Sequence, residues 1–266
     1  MQSDAIIQHI VQWLSNYAQQ AHAKGFIVGI SGGIDSAVVS TLAAQTGLDV
    51  LLLEMPIRQA ADQVNRAQDH IADLQRRYPH VRSLRVDLTP TFEQFEQTVE
   101  VDENAYPAKL LALANSRSRL RMLTLYHYGQ LNGLLVTGTG NKVEDFGVGF
   151  FTKYGDGGVD ISPIGDLLKT QVYALAKALN IIQSIQDAVP TDGLWDTERT
   201  DEQQMGASYP ELEWAMSIPD QQPLEDFTGR QQEVLRIYRR LNRAMQHKIQ
   251  PIPICSIPTE WLSPSL

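Results

Sequence analysis

Six consecutive residues near the start of the chain, Ser31-Gly32-Gly33-Ile34-Asp35-Ser36, have the types and spacing to hold an anion. Gly32 and Gly33 open backbone conformations closed to other residues, so successive N–H groups can converge on one phosphate as a nest. A helix N-terminus directly after the loop adds partial positive charge. Ser31 and Ser36 supply hydroxyl donors. Asp35 is a poor direct neighbour for phosphate, and as a ligand of Mg²⁺ it would neutralise the charge instead. The bland alternative is a tight turn with Asp35 as an ordinary N-cap, which for glycine-rich turns in general is favoured by roughly two to one. Here the apolar strand before the loop, the paired glycines and the flanking serines reverse that order. Two rival glycine motifs fail: the loop lacks the lysine of a Walker A sequence, and no G-x-G-x-x-G follows the first strand. Gly138-Thr139-Gly140 begins like a dinucleotide fingerprint but has Val143 where the third glycine belongs.

The elements that must position this loop follow from periodicity. Ile6, Ile7, Ile10, Val11, Leu14 and Ala18 recur at helical spacing after a Ser3 cap, predicting an amphipathic opening helix. Residues 25–30, GFIVGI, are too short an apolar run for a helix and read as a strand. They end in the glycine loop, and AVVSTLAAQ then gives a helix closed by Gly47. The alternation continues with strand DVLLLEM, a helix carrying Val64, Ala67, Ile71 and Leu74, strand VRSLRVDL, a helix around LLALANSRSRLRML, and strand GLLVTG. Beyond Pro163 come a helix around LLKTQVYALAKAL, an acidic polar stretch from Thr191 to Gln204, and a helix with Val234, Ile237, Leu241 and Met245. Strands alternating with helices predict an α/β, doubly wound, mostly parallel sheet with helices on both faces, of the Rossmann-like kind. Ligands of such sheets sit at the strand C-terminal ends, where the glycine loop falls.

Composition bounds the rest. With 266 residues and 43% hydrophobic content the chain can bury one large core, or one core with an appended lobe, and a single domain over 1–266 is the default. A formal net charge of -9 and a pI near 5.1 argue against a nucleic-acid binder, which needs clustered Lys and Arg. Cys255 is the only cysteine, so there is no disulfide framework, thiolate zinc site or paired redox thiol, and a reducing cytoplasm fits. No stretch approaches the ~20 apolar residues of a membrane-spanning helix, and the chain is expected to be soluble and unexported.

SGGIDS resembles the PP-loop of the N-type ATP pyrophosphatases, which split ATP between the α and β phosphates and adenylate a substrate. Further along, ANSRSRLRM, GTGNKVEDFGVGFFTKYGDGGVD, the Lys169 segment, VPTDGLW and the His247-Lys248 pair stand in the order seen in NAD synthetases. That resemblance covers nearly the whole length, and FFTKYGDGG is its sharpest piece. It implies ATP-dependent amidation of deamido-NAD through an adenylate, giving NAD, AMP and pyrophosphate. On that basis Gly29, Ile30, Ser31, Gly32, Gly33, Ile34, Asp35 and Ser36 would bind ATP, joined by Thr139, Lys169 and Thr191. Asp35 and Glu144 would be the Mg²⁺ ligands. Arg119, Lys153, Asp160, His247 and Lys248 would bind deamido-NAD, with Arg119 coming from the partner in a homodimer whose interface helices span 105–130. Asp35, Lys153 and Lys169 would carry the catalysis, because joining two anions requires their repulsion to be offset and departing pyrophosphate to be stabilised. The chain departs from the family in Ile34, where many members have Gln, and in GTGNKVED, which has one residue more before FFTK than the GTDHAAE form.

Each assignment has a plainer reading. Lys153 and Asp160 can be ordinary loop residues, Glu144 beside Asp145 a solvated acidic face, and His247-Lys248 a complement to a helix dipole. The block from Asp196 to Glu202 reads as a mobile charged lid or an exposed acidic loop. Sulfur-inserting tRNA enzymes need cysteines and basic modules, and the glutaminase or nitrilase-like domains of glutamine-dependent relatives do not fit before Gly25. Free ammonia is therefore the expected nitrogen donor, unless a separate subunit supplies it. A nucleotide sensor without turnover and an oxidoreductase are the readings from other classes.

Overall fold

The computed structural model describes residues 1–99, 106–191, 193–194 and 200–262. Four parallel strands form the sheet: β1 (Gly25–Gly29), β2 (Asp49–Glu54), β3 (Val81–Arg85) and β4 (Leu134–Val136), in the order β3-β2-β1-β4. A parallel bridge between Thr137 and Ile161 extends pairing beyond β4. The chain therefore winds outward from β1 in both directions, and the reversal of winding leaves a crevice at the C-terminal ends of β1 and β4.

Side chains alternate between the two faces, as strand geometry requires. Phe26, Val28, Val50 and Leu52 enter one core with α1 (Ser3–Gln20), α2 (Ile34–Gln45), α3 (Ala61–Arg77), α6 (Lys169–Ala178) and the short α7 (Gln183–Gln186). Ile27, Leu51 and Leu53 enter the other, with Phe92 of α4 (Thr89–Thr98) and Leu113 of α5 (Tyr106–Asn132). Both faces are covered, so β1 and β2 read as continuous apolar runs rather than alternating ones. α2 is small or apolar on every side because it lies between the sheet and helices α1 and α6. Gly25 has a packing reason of its own: a Cβ there would come 1.9 Å from the Asp49 carbonyl oxygen on β2.

A third cluster carries the C-terminal part. A π-helical turn, Lys142–Val148, sends Val143 and Val148 against α9 (Tyr209–Met216) and α10 (Gly229–Ile249), where Leu212, Ala215, Val234 and Leu235 complete the packing. The acidic stretch to Gln204 contains the start of a short helix, α8 (Asp201–Met205), capped by Thr200 and closed by Gly206 in the left-handed region. Positions 196–199 of the charged block, Asp192 and Trp195 of the acidic stretch, and Ala105 lie outside the described residues. α4 is an addition to the sequence reading; its TPTFEQFEQT has one fully buried anchor, Phe92, and too few apolar positions to show a period. No described helix is long and apolar enough to cross a membrane.

One buried pair makes this packing sensitive to acid. His70 of α3 is fully buried, with Nε2 2.8 Å from the Ser40 hydroxyl of α2 and no hydrogen-bond partner at Nδ1 among the described residues. Burial pushes its imidazole down to about 4, against a smaller opposing pull from Asp73. Unfolded histidine takes up its proton near pH 6.5. Between the two values the unfolded chain binds more protons, so stability falls as pH drops from about 6.5 to about 4. His70→Gln is expected to remove a dependence of up to about 3 kcal/mol across that window. Urea unfolding of both proteins at neutral and acid pH measures it, and equal pH slopes would contradict the assignment.

Candidate active site

The glycine loop leaves the C-terminal end of β1 and runs into α2, whose first residue is Ile34 and whose N-cap is Gly33 in extended geometry. Hydrogen bonds within the loop fix its shape before any ligand arrives. Ser31 Oγ accepts from Gly33 N at 3.2 Å, Ser36 Oγ accepts from Ser31 N at 3.4 Å, and the Ser36 hydroxyl donates to Gly33 O at 3.0 Å. Gly32 has φ +80°, and a Cβ on it would stand 2.5 Å from the Gln63 carbonyl oxygen. Any side chain here would be both strained and obstructed. The loop opens into a cavity of about 280 Å³ lined by all of Gly29 to Ser36 and by Thr139, Lys169 and Thr191. All eleven residues assigned to ATP thus line one space.

A buried ammonium organises that space. Lys169, the first residue of α6, is 2% exposed, and its Nζ lies 2.5 Å from Asp35 Oδ2 and 3.0 Å from Glu144 Oε1. Three segments far apart in sequence therefore meet: the α2 N-terminus, the π-helical turn and the α6 N-terminus. A buried charge of this kind persists only when paired and hydrogen-bonded. Burial works against the charged form of Lys169, but Asp35 and Glu144 outweigh it and hold the ammonium well above the ordinary lysine range. Burial likewise opposes ionisation of Glu144, and Lys169 with the Tyr209 hydroxyl reverses it, holding that carboxyl below its usual value. Asp35 is pushed up, by burial first and then by Glu144, against the pull of Lys169.

Two residues without an assigned role complete the cluster. Asn141 is fully buried; its Nδ2 donates to Asp35 Oδ1 at 3.2 Å while its Oδ1 accepts from Val143 N and Glu144 N at 3.1 and 3.2 Å. It caps the turn that carries Glu144 and holds Asp35 with the same amide. Tyr209 of α9 donates its hydroxyl to Glu144 Oε1 at 2.6 Å, and the Lys169 ammonium stands 4.9 Å from its ring centroid. N-cap preference for Asn is a sequence signal that points to Asn141; no local signal marks Tyr209. Asp145, Asp156 and Asp201 also line the cavity. Burial, then neighbouring Asp156, holds the Asp145 carboxyl well above its ordinary value.

The residues assigned to the second substrate stand elsewhere. Lys153 Nζ donates to His247 O at 2.6 Å, Lys248 Nζ to Phe151 O at 2.5 Å, and Arg119 Nε to Lys153 O at 3.3 Å. These contacts join the end of α10, the loop at 151–158 and α5, but none of the four residues lines the cavity. Asp160 is separate from them: its carboxylate accepts from Tyr126 OH at 3.0 Å and Val136 N at 2.8 Å, beside β4. The loop is a shared wall, because its inner side presents Asp156, held by Ser118 Oγ at 2.7 Å and Thr152 N at 2.9 Å, to the cavity.

A family model described as NAD synthase matches residues 6–251. The chain belongs to the NAD synthase family. It is 36% identical over 214 residues to the NH(3)-dependent NAD(+) synthetase of Mesoplasma florum, covering 80% of this chain and 84% of that one. With the corresponding protein of Syntrophomonas wolfei the identity is 34% over 265 residues, covering 98% and 99%. Among solved structures, an NMN synthetase from Francisella tularensis superposes with a TM-score of 0.83 at 30% identity, covering 97% of this chain and 100% of that one. At this site Asn141→Ser keeps an N-cap side chain but is too short to reach Asp35. Its unfolding free energy is expected within about 1 kcal/mol of the parent, with ATP cleavage lowered about 10- to 100-fold. Parallel denaturation and pyrophosphate-release assays check it; undiminished cleavage would remove Asn141 from the account.

Proposed function

We propose that this chain joins ammonia to the nicotinate carboxylate of deamido-NAD at the expense of ATP, acting as a single domain over 1–266. The observation that carries the reading is the Lys169 ammonium held between Asp35 and Glu144 beside a preformed phosphate loop. One substrate carboxylate oxygen attacks the α-phosphorus, the bond to the β-phosphate oxygen breaks, and pyrophosphate leaves. Ammonia then adds to the acyl carbon, loses a proton, and displaces AMP. Loop N–H groups and the α2 N-terminus orient the phosphates, and Lys169 opposes charge on the departing group. No nucleophilic side chain is required, because positioning and neutralisation supply the catalysis.

Mg²⁺ fits the residues present. Asp35 and Glu144 already converge within 3.0 Å of a single cationic nitrogen, and carboxylate oxygens are the hard donors this ion takes. Among the described residues, six carboxylate and three cationic residues line the cavity, so bound ATP would need further positive charge. Asp35 and Glu144 would hold the ion, and when bound it would offset charge on the pyrophosphate.

Three further elements belong to the proposal. α5 leaves Leu111, Leu123 and Leu131 exposed, which supports pairing of two copies through this helix, with Arg119 of one copy joining Lys153, Asp160, His247 and Lys248 of the other at the deamido-NAD site. A lone exposed Cys255 suits a reducing cytoplasm. The likeness to a structure described as an NMN synthetase favours nicotinate mononucleotide as a second, shorter carboxylate substrate.

Purified protein given ATP, Mg²⁺, ammonium and deamido-NAD is expected to form NAD, AMP and pyrophosphate in equal amounts and to sediment as a dimer. Asp35→Ala is expected to lower all three at least about 100-fold. Nicotinate mononucleotide in place of deamido-NAD measures the shorter acceptor. ATP binding with no pyrophosphate from either carboxylate would leave a nucleotide sensor instead.

A further inference from the structure

Thr191 lines the cavity but belongs to a segment without regular structure, so something must hold it there. Three side chains do so in sequence, and a fourth holds the neighbouring backbone. Arg121 of α5 donates from Nε to Met55 O at 3.0 Å and from Nη2 to Gln59 Oε1 at 2.9 Å. Gln59 donates from Nε2 to Gln63 Oε1 and, at 3.3 Å, to Gly193 O. Gln63 donates from Nε2 to Thr191 Oγ1 at 2.8 Å. Arg117, also on α5, donates from Nη1 to Leu194 O at 2.9 Å.

The order of donors and acceptors in this relay is forced. A guanidinium only donates, so the Gln59 oxygen must face Arg121 and its NH₂ must face Gln63. The Gln63 oxygen is thereby engaged, and its NH₂ faces Thr191. Thr191 Oγ1 then acts as an acceptor, which leaves its own hydrogen available to a second partner, and the residue lines the cavity. Gln63 also touches the phosphate loop: its carbonyl oxygen occupies the space beside Gly32. Gly193, at φ +59°, lets the backbone approach so closely that a Cβ would stand 2.4 Å from Gln59 Nε2.

We propose that Gln63 is a positioning residue that sets Thr191 as a hydrogen-bond donor to the bound nucleotide, with its own polarity fixed through Gln59 by Arg121. The inference rests on the ATP-binding reading of the cavity. Gln63 thereby ties two walls of one site, the phosphate loop through its backbone and Thr191 through its side chain. It also links ATP binding to α5, which carries Arg119.

Gln63→Glu tests the relay with almost no change of shape. A carboxylate cannot donate, so the Thr191 hydroxyl turns to donate to it and is lost to the nucleotide. Calorimetric ATP binding without the second substrate is expected to weaken at least about tenfold, from the loss of one neutral hydrogen bond together with the charge added to the cavity that Gln63 lines. The KM for ATP should rise by the same factor, with kcat and the unfolding midpoint little changed. Thr191→Val should weaken ATP binding about tenfold, and adding it to Gln63→Glu should weaken binding no further, because the hydroxyl is already lost and the carboxylate charge is common to both proteins. Unchanged affinity in Gln63→Glu, or losses that multiply in the double variant, would overturn the proposal. Because ATP binding is read without turnover, absence of NAD formation would count against the amidation reading and leave this test intact.

Discussion

The buried ammonium of Lys169 is the constraint on which the rest of the structure depends. At 2% exposure it is tolerable only between carboxylates, and removing one partner of such a group costs on the order of 3–5 kcal/mol. Asp35 comes from the helix after β1, Glu144 from the π-helical turn after β4, and Lys169 from the helix after the Thr137–Ile161 bridge. The winding reversal of the sheet is what brings those three segments to one crevice. The C-terminal helices then act as a back wall: α9 supplies Tyr209 to Glu144, and its apolar side packs Val143 and Val148, so the turn holding Glu144 is fixed from both ends.

Most of the scaffold was legible in the sequence because its physics is local. GFIVGI followed by SGGIDS and an apolar helix specifies strand, loop and helix without outside help, and every predicted strand forms. α4 and Tyr209 were not legible for the opposite reason. Phe92 is an anchor only because α5 lies over it, and Tyr209 matters only because the fold brings it 65 positions back in sequence to Glu144. The relay Arg121–Gln59–Gln63–Thr191 is likewise invisible in one dimension, since its last bond spans 128 positions.

The resemblance assigned two sets of residues, and the geometry treats them differently. Those given to ATP surround one cavity, while Arg119, Lys153, His247 and Lys248 hold the end of α10 to the loop whose other side lines that cavity. A mixed wall of this sort suits chemistry in which one substrate is fixed by backbone N–H groups and the other reaches it from beyond the loop. Asp160, tied to Tyr126 and Val136, fixes the strand end beneath that wall.

The central claim is that this arrangement joins a substrate carboxylate to the α-phosphorus of ATP before ammonia arrives. Deamido-NAD labelled with ¹⁸O in its nicotinate carboxylate tests it directly, by mass spectrometry of the products. Transfer of one labelled oxygen into AMP, with unlabelled pyrophosphate, is the predicted result. Label retained wholly in unreacted carboxylate while AMP and pyrophosphate accumulate, or label in pyrophosphate, would contradict it.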